Sequence, residues 1–106
     1  MNPFQDQAHF MKACDQTVGE TNPTQFSLYK KLIAEEVDEL YTAKSQLEEL
    51  DALIDILVVT IGALHSIGAD GEGAWKEVIK SNMTKIDQET GKVRKREDGK
   101  VLKPEG

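Results

Sequence analysis

The sequence contains one cysteine, three prolines and six aromatic residues among 106 residues. The lone cysteine, Cys14, excludes an internal disulfide and favours the reducing cytoplasm. The longest apolar run, residues 53–64, is interrupted by Asp55 and falls short of the ~18 residues that a membrane span needs. The N-terminus lacks the basic and then apolar layout of a signal peptide. We therefore expect a cytoplasmic protein with no membrane segment.

Acidic side chains outnumber basic ones, but the two signs are unevenly distributed. Residues 1–79 carry 5 basic and 14 acidic side chains, whereas residues 80–106 carry 8 basic and 5 acidic ones. An acidic body argues against general binding to a nucleic acid polymer, which depends on the neutralisation of phosphates. It favours a metal cation instead, and the basic C-terminal segment suits phosphates that accompany the metal.

Apolar residues recur at helical spacing in four segments, which predicts an all-α, four-helix bundle. Thr24 is predicted to cap the start of the second helix, and Gly68 to follow the end of the third. A turn at Asp98 and Gly99 indicates a short hairpin or an ordered tail. We expect one domain over residues 1–106, with a helical body at about 4–87 and a basic tail at about 88–106. The helices are expected at about residues 4–14, 24–47, 48–67 and 74–86, and a break near 42–46 is left open.

The second predicted helix places a carboxylate on its apolar side. On a helical wheel that starts at Leu32, Glu36 lies at about 40°, inside the apolar sector. Glu39 lies at the edge of that sector and Glu35 just beyond it, whereas Asp38 faces away. The pattern therefore predicts that Glu36 points towards the core.

The third predicted helix shows the same anomaly more strongly. Residues 50–61 are apolar nearly all round, which is typical of a buried helix, yet Asp55 lies in their middle. Glu48, Asp51 and Asp55 are spaced i, i+3 and i+7 and form one acidic stripe. An unpaired buried carboxylate costs several kcal/mol, a large part of a small domain's stability. Two such stripes on neighbouring helices would repel one another unless cations lay between them.

A divalent cation between the two helices resolves this conflict. Mg²⁺ prefers oxygen ligands and is often shared with substrate phosphates, and Mn²⁺ is a possible substitute. The simpler interpretations are that the first cluster is a solvated helix face and that Asp55 pairs with a base in a structural bridge. The candidate bases for such a bridge are Lys80, Lys85 and His65.

The acidic motifs and the tail resemble the MazG-like, all-α nucleoside triphosphate pyrophosphohydrolases, especially their phosphoribosyl-ATP pyrophosphohydrolase-like branch. The signature EExxE is present as residues 35–39, and Asp55 with its apolar run matches the second signature, ExxD. The residue three before Asp55 is Ala52 rather than Glu. Asp51 takes that role from one position earlier, or Glu48 and Asp51 form the motif. Residues 82–85 and 98–104 also resemble that branch.

The resemblance implies hydrolysis of a nucleotide between its α- and β-phosphates, in a homodimer or homotetramer that serves nucleotide housecleaning. It implies catalytic roles for Glu35, Glu36, Glu39 and Asp55. It implies Mg²⁺ ligands at Glu36, Glu39, Asp51 and Asp55, and phosphate-binding roles for Asn82, Lys85, Arg94 and Arg96.

Two competing interpretations do not involve nucleotide hydrolysis. A di-iron protein would use paired Glu-x-x-His motifs, and only Asp6-x-x-His9 comes close. A catalytically inactive, metal-binding or helix-pairing module of the same fold would explain Ala52. Tyr29 and Trp75 are candidates for stacking on a base, but aromatic residues on apolar helix faces more often belong to the core.

Overall fold

The computed structural model describes residues 2–95 and 97–100, which contain four α-helices and no β-strand. The predicted all-α fold class is confirmed. No helix in the described part combines the length and the apolar composition that a membrane span requires. The helices are α1 (Pro3–Ala13), α2 (Pro23–Thr42), α3 (Gln46–Ser66) and α4 (Gly71–Met83).

The chain divides into two compact units, Met1–Gly71 and Glu72–Gly106. The first unit holds α1, α2 and α3, and the second holds nearly all of α4 and the basic segment that follows it. The assignment of residues 1–106 to one domain stays a prediction.

Short polar side chains cap the first three helices. Asn2 caps α1, and the Ser45 side chain accepts a hydrogen bond from the Glu48 amide at the start of α3. The predicted cap of α2, Thr24, is wrong. The cap is Asn22, whose side chain accepts from the Gln25 amide at 3.1 Å. Pro23 follows it as the first helical residue, a position that tolerates proline because its missing N–H has no helical partner there.

Helices α2 and α3 form an antiparallel hairpin, and the three-residue link 43–45 settles the predicted break. Tyr29 near the start of α2 lies against Gly62 near the end of α3. One turn earlier on α2, the side-chain amide of Gln25 donates a hydrogen bond to the Ser66 hydroxyl at 2.9 Å. These pairings run in opposite directions along the two helices and bring the middles of both together.

The core of the first unit is small. Met11, Tyr29 and Ala63 are its buried centre, and α1 packs on α3 to complete it. Tyr29 is 5% exposed, so it is a core residue rather than a free stacking surface. Partly buried side chains surround this centre: Val18, Phe26, Leu32, Ile33 and Val59.

Helix α3 is buried on one side only, although its apolar composition predicts burial all round. Ala52, Gly62, Ala63 and Ser66 face the neighbouring helices and are buried. The opposite side exposes six large apolar residues, which we call the outer face of α3. They are Leu47, Leu50, Leu53, Ile54, Leu57 and Val58.

The second unit consists of α4 and a short hairpin. Helix α4 begins and ends about three residues earlier than predicted, at Gly71 and Met83. Trp75, predicted as a core residue, is 57% exposed. A hairpin turn lies at residues 87–92 and pairs Ile86 with Val93. The predicted turn at Asp98 and Gly99 is also present: Gly99 has a φ of 86°, and the Asp98 Oδ1 atom accepts a hydrogen bond from the Lys100 amide at 3.0 Å.

Candidate metal and phosphate site

Three carboxylates from the two paired helices converge midway along the hairpin of α2 and α3. Glu36 and Glu39 are three residues apart on α2 and therefore share one helical face. Asp55 meets them from α3. Each of the three offers an oxygen, and these oxygens all lie within 4.8 Å of one another. The cluster is thus built from the residues that the two sequence anomalies singled out.

Glu36 is the most enclosed member of this carboxylate cluster. Its Oε2 atom is shielded from solvent and has no hydrogen-bond partner. Desolvation, the hydrogen bond with Glu39 and the negative charges of Glu39, Asp55 and Asp51 all raise the pKa of Glu36. The protein therefore holds a carboxylate where its negative charge is unfavourable without a cation.

No lysine, arginine or histidine in the described part of the chain forms a salt bridge with these three carboxylates. The proposed structural partners of Asp55 have other contacts. Lys85 donates to the Asn82 side chain at 3.0 Å, and the His65 Nε2 atom lies 2.9 Å from the Phe4 carbonyl oxygen. The described contacts therefore do not support the simple structural-bridge interpretation for Lys85 and His65.

The donor set fits a hard divalent cation. Carboxylate oxygens are the protein ligands that Mg²⁺ and Mn²⁺ accept, and Mg²⁺ usually keeps several waters and needs few protein ligands. The unpartnered Oε2 atom of Glu36 is an unused acceptor at this position. The cluster of Glu36, Glu39 and Asp55 is therefore suited to hold such an ion.

An open cleft of about 240 Å³ adjoins the cluster and shares Glu39 with it. Asp51, four residues before Asp55 on α3, also lines this cleft. Two of the lining residues, Thr42 and Ala43, were not predicted as site residues. Thr42 follows Glu39 by three residues, and that spacing was the available signal.

A match to known proteins adds to this geometry. The model of the phosphoribosyl-ATP pyrophosphohydrolase family matches residues 7–82, which include α2, α3, most of α4 and the C-terminal part of α1. The chain belongs to this family. It is therefore a member of the MazG-like, all-α nucleoside triphosphate pyrophosphohydrolase superfamily, and the predicted relationship is confirmed. A search of curated proteins found no match.

Membership of the phosphoribosyl-ATP pyrophosphohydrolase family supports nucleotide pyrophosphohydrolase activity in broad terms. Ala52 stands at the position where the ExxD signature has Glu. Ala52 is 2% exposed and lies on the buried side of α3. A longer, charged side chain would have to enter the packed contact between the helices.

The alternative ExxD motif consists of Glu48 and Asp51. The Glu48 Oε2 atom accepts a hydrogen bond from the Lys44 amide at 2.6 Å, ahead of the start of α3. Glu48 thus helps to fix the link between α2 and α3, and both Glu48 and Asp51 are exposed and line the cleft. Which of the two residues stands in for the absent Glu stays a prediction.

The remaining predicted site residues lie outside the three-carboxylate cluster. Glu35 is exposed on α2. Asn82, Lys85 and Arg94 belong to the second unit, and their phosphate-binding role stays a prediction. Arg96 lies outside the described residues.

The two residues of the di-iron interpretation, Asp6 and His9, are not part of a candidate metal site among the described residues. Asp6 and His9 are exposed on α1, and the group of acidic residues suited to a metal does not include them.

Proposed function

We propose that the chain hydrolyses a nucleoside triphosphate between its α- and β-phosphates, releasing a nucleoside monophosphate and pyrophosphate. The observation that carries this proposal is the convergence of Glu36, Glu39 and Asp55 within 4.8 Å, with one shielded and unpartnered oxygen on Glu36. Membership of the family supports the general reaction. A role in nucleotide housecleaning and a cytoplasmic location are part of the proposal.

Glu36, Glu39 and Asp55 would hold Mg²⁺, with Asp51 as a further ligand from the cleft side. When bound, the ion supplies charge stabilisation to the phosphate oxygens and a lower pKa for an attacking water. In the reaction, a water oxygen forms a bond to phosphorus and the bridging P–O bond breaks, with the electron pair leaving on pyrophosphate. Glu35, exposed on the same helix, would accept the proton of the water.

The open cleft beside the cluster supports an anionic substrate that arrives with its cation. Glu39, Glu48 and Asp51 line it, and a phosphate chain alone would be repelled by these carboxylates. A phosphate chain accompanied by Mg²⁺ would not be repelled, because the ion neutralises both partners. We therefore expect hydrolysis to require the divalent cation rather than merely to be accelerated by it.

We propose further that the protein is a homo-oligomer in which the outer face of α3 packs against a second copy. Its six large apolar side chains are each at least 38% exposed, and monomeric soluble proteins rarely expose so continuous an apolar stripe. None of the six residues is charged, so none of them would favour an oppositely charged partner. The same uncharged face on a second copy is complementary to it in a two-fold arrangement.

The test is to incubate the protein with a panel of nucleoside triphosphates and Mg²⁺ or Mn²⁺, and to identify the products by phosphorus NMR. We expect a monophosphate and pyrophosphate. Glu39→Gln and Asp55→Asn should lower kcat by about 100-fold or more with unchanged helicity, because a bound ion contributes several kcal/mol of charge stabilisation. Asp38→Asn, on the solvent side of α2, is the matched control.

Orthophosphate and a diphosphate as products would contradict the proposed cleavage position. Binding of Mn²⁺ without turnover of any nucleotide would instead support the inactive, metal-binding module. The buried Ala52 is the observation that favours this second candidate.

A further inference from the structure

The Glu48 side chain is bound to the backbone of the link between α2 and α3, residues 43–45. Its Oε2 atom accepts a hydrogen bond from the backbone amide of Lys44 at 2.6 Å. The Ser45 hydroxyl in turn accepts a hydrogen bond from the backbone amide of Glu48 at 3.1 Å. Two backbone amides near the start of α3 are thereby satisfied by a reciprocal pair of side chains, as in a capping box. Glu48 therefore ties the link to the first turn of α3.

The same stretch of chain forms part of the wall of the open cleft. Thr42 and Ala43, the two residues before Lys44, both line the cleft, and so does Glu48. The chain leaves the helical conformation at Ala43, whose φ of −60° and ψ of 139° are extended. Beyond Ala43 the contact between Lys44 and Glu48 fixes the course of the link towards α3. The position of this part of the wall therefore depends on Glu48.

Glu48 lies too far along α3 to share an ion with the carboxylate cluster. It precedes Asp55 by seven residues, which is about 10 Å along the helix axis, whereas the oxygens of the cluster lie within 4.8 Å of one another. The Glu48 side chain extends the other way, to Lys44. The first turn of a helix also favours a negative charge, because its free amides carry partial positive charge. The charge of Glu48 is therefore offset without a cation.

We propose that Glu48 is a positioning residue for the hydrolysis: through Lys44 it holds the wall of the cleft where nucleotide binding requires it, and it does not bind the cation. This role rests on the proposed function for the reaction. The phosphates meet the cation at the carboxylate cluster, and the rest of the nucleotide extends into the adjoining cleft of about 240 Å³. A loosened link would have to be ordered each time a nucleotide binds, so its loss weakens binding and leaves the chemical step unchanged.

The experiment compares Glu48→Ala, which removes the acceptor for the Lys44 amide, with Glu48→Gln, which keeps an oxygen acceptor on a side chain of the same length. KM and kcat are measured with Mg²⁺ and the nucleoside triphosphate that the unchanged protein hydrolyses fastest. We expect Glu48→Ala to raise KM about fivefold and to change kcat less than about twofold. Glu48→Gln should restore KM to within about twofold of the value for the unchanged protein.

Glu49→Ala is the matched control for these kinetic measurements. Glu49 is exposed in the same first turn of α3 and does not line the cleft. Its substitution by alanine removes the same charge from the same end of the helix. KM should therefore stay unchanged in this variant.

Two further measurements separate the link from the cation. Hydrogen exchange of the Lys44 amide, followed by NMR, reports on the link directly and should be about fivefold faster in Glu48→Ala than in Glu48→Gln. Mn²⁺ affinity reports on the cation. Glu48→Gln should bind Mn²⁺ within about twofold of the unchanged protein, because the variant lacks a charge but no ligand.

A Glu48→Gln variant that binds Mn²⁺ about tenfold more weakly would overturn the proposal, because Glu48 would then be a ligand. An unchanged KM in Glu48→Ala would also overturn it, because the contact with Lys44 would then be structural only. Both results leave the proposed function intact, since the unchanged protein still releases pyrophosphate. Absence of turnover by the unchanged protein would instead contradict the proposed function, and the positioning role would fall with it.

Discussion

Glu36 on α2 and Asp55 on α3 place carboxylate oxygens within 4.8 Å of each other, with Glu39 completing the group. Like charges at this distance repel, and the shielded Oε2 atom of Glu36 has no donor to offset the repulsion. The helix pair thus contains an unfavourable arrangement that a divalent cation reverses.

Glu36→Gln is expected to stabilise the metal-free protein. The amide keeps the size of the side chain and removes the negative charge that Glu39, Asp55 and Asp51 oppose. Its melting temperature in EDTA should be higher than that of the unchanged protein. Added Mg²⁺ should raise the melting temperature of the unchanged protein but not that of Glu36→Gln. Asp38→Asn, which removes an exposed charge from the same helix, should retain the full response to Mg²⁺.

The free energy of unfolding of the metal-free protein should depend on pH because of Glu36. The pKa of Glu36 is raised above its ordinary value of 4.5, first by desolvation. The folded state therefore favours the protonated carboxyl, whose stabilising contribution is complete below pH 4.5 and is lost as the pH rises through the higher folded pKa. Denaturant titrations between pH 4 and pH 7 in EDTA should show a smaller free energy of unfolding at higher pH. Glu36→Gln should reduce this decline; an identical slope in the two proteins would contradict the assignment.

Gly62→Ala is expected to destabilise the first unit. A Cβ atom at this position would overlap the Tyr29 ring at Cε1 and lie 2.7 Å from both Cδ1 and Cζ. Overpacking of this kind costs about 1–3 kcal/mol, and alanine's better helix propensity offsets up to about 1 kcal/mol. Chemical denaturation measures the net loss. In a Tyr29→Leu background, the same substitution should cost much less, and an unchanged cost would show that the ring is not responsible.

Leu57→Glu is expected to convert the proposed oligomer into monomers. Leu57 is 58% exposed on the outer face of α3, and a charge there would have to be buried against the second copy. Light scattering coupled to size-exclusion chromatography measures the change in mass. Tyr41→Glu introduces the same charge at an exposed residue of α2 and should leave the mass unchanged. A monomeric unchanged protein would contradict the proposed interface.

The carboxylate cluster was predictable because it depends on local periodicity. The 3.6-residue repeat of the helix is sufficient to place Glu36 inside an apolar sector and Asp55 inside an apolar run. The hydrogen bond from the Lys44 amide to the Glu48 side chain was not predictable. That contact exists only once the link between the helices has its conformation.

Burial and helix boundaries show where the sequence is insufficient. Residues 50–61 are apolar all round, yet their helix is covered on one side, because burial depends on which elements pack there. The cap of α2 was misplaced although the signal was present, since Asn22 directly precedes Pro23. The hairpin register that pairs Ile86 with Val93 follows from the Asp87 turn. The Asp98–Gly99 turn was predictable because this dipeptide is itself a turn signal.

The central claim is that the carboxylate cluster binds a divalent cation. Mn²⁺ binding measured by electron paramagnetic resonance tests this claim most directly. The unchanged protein should bind Mn²⁺ and release it when Mg²⁺ is added in excess. Asp55→Asn should bind it at least about tenfold more weakly, whereas Asp38→Asn should bind as the unchanged protein does. An unchanged protein that binds no Mn²⁺, or an Asp55→Asn variant with undiminished affinity, would contradict the account.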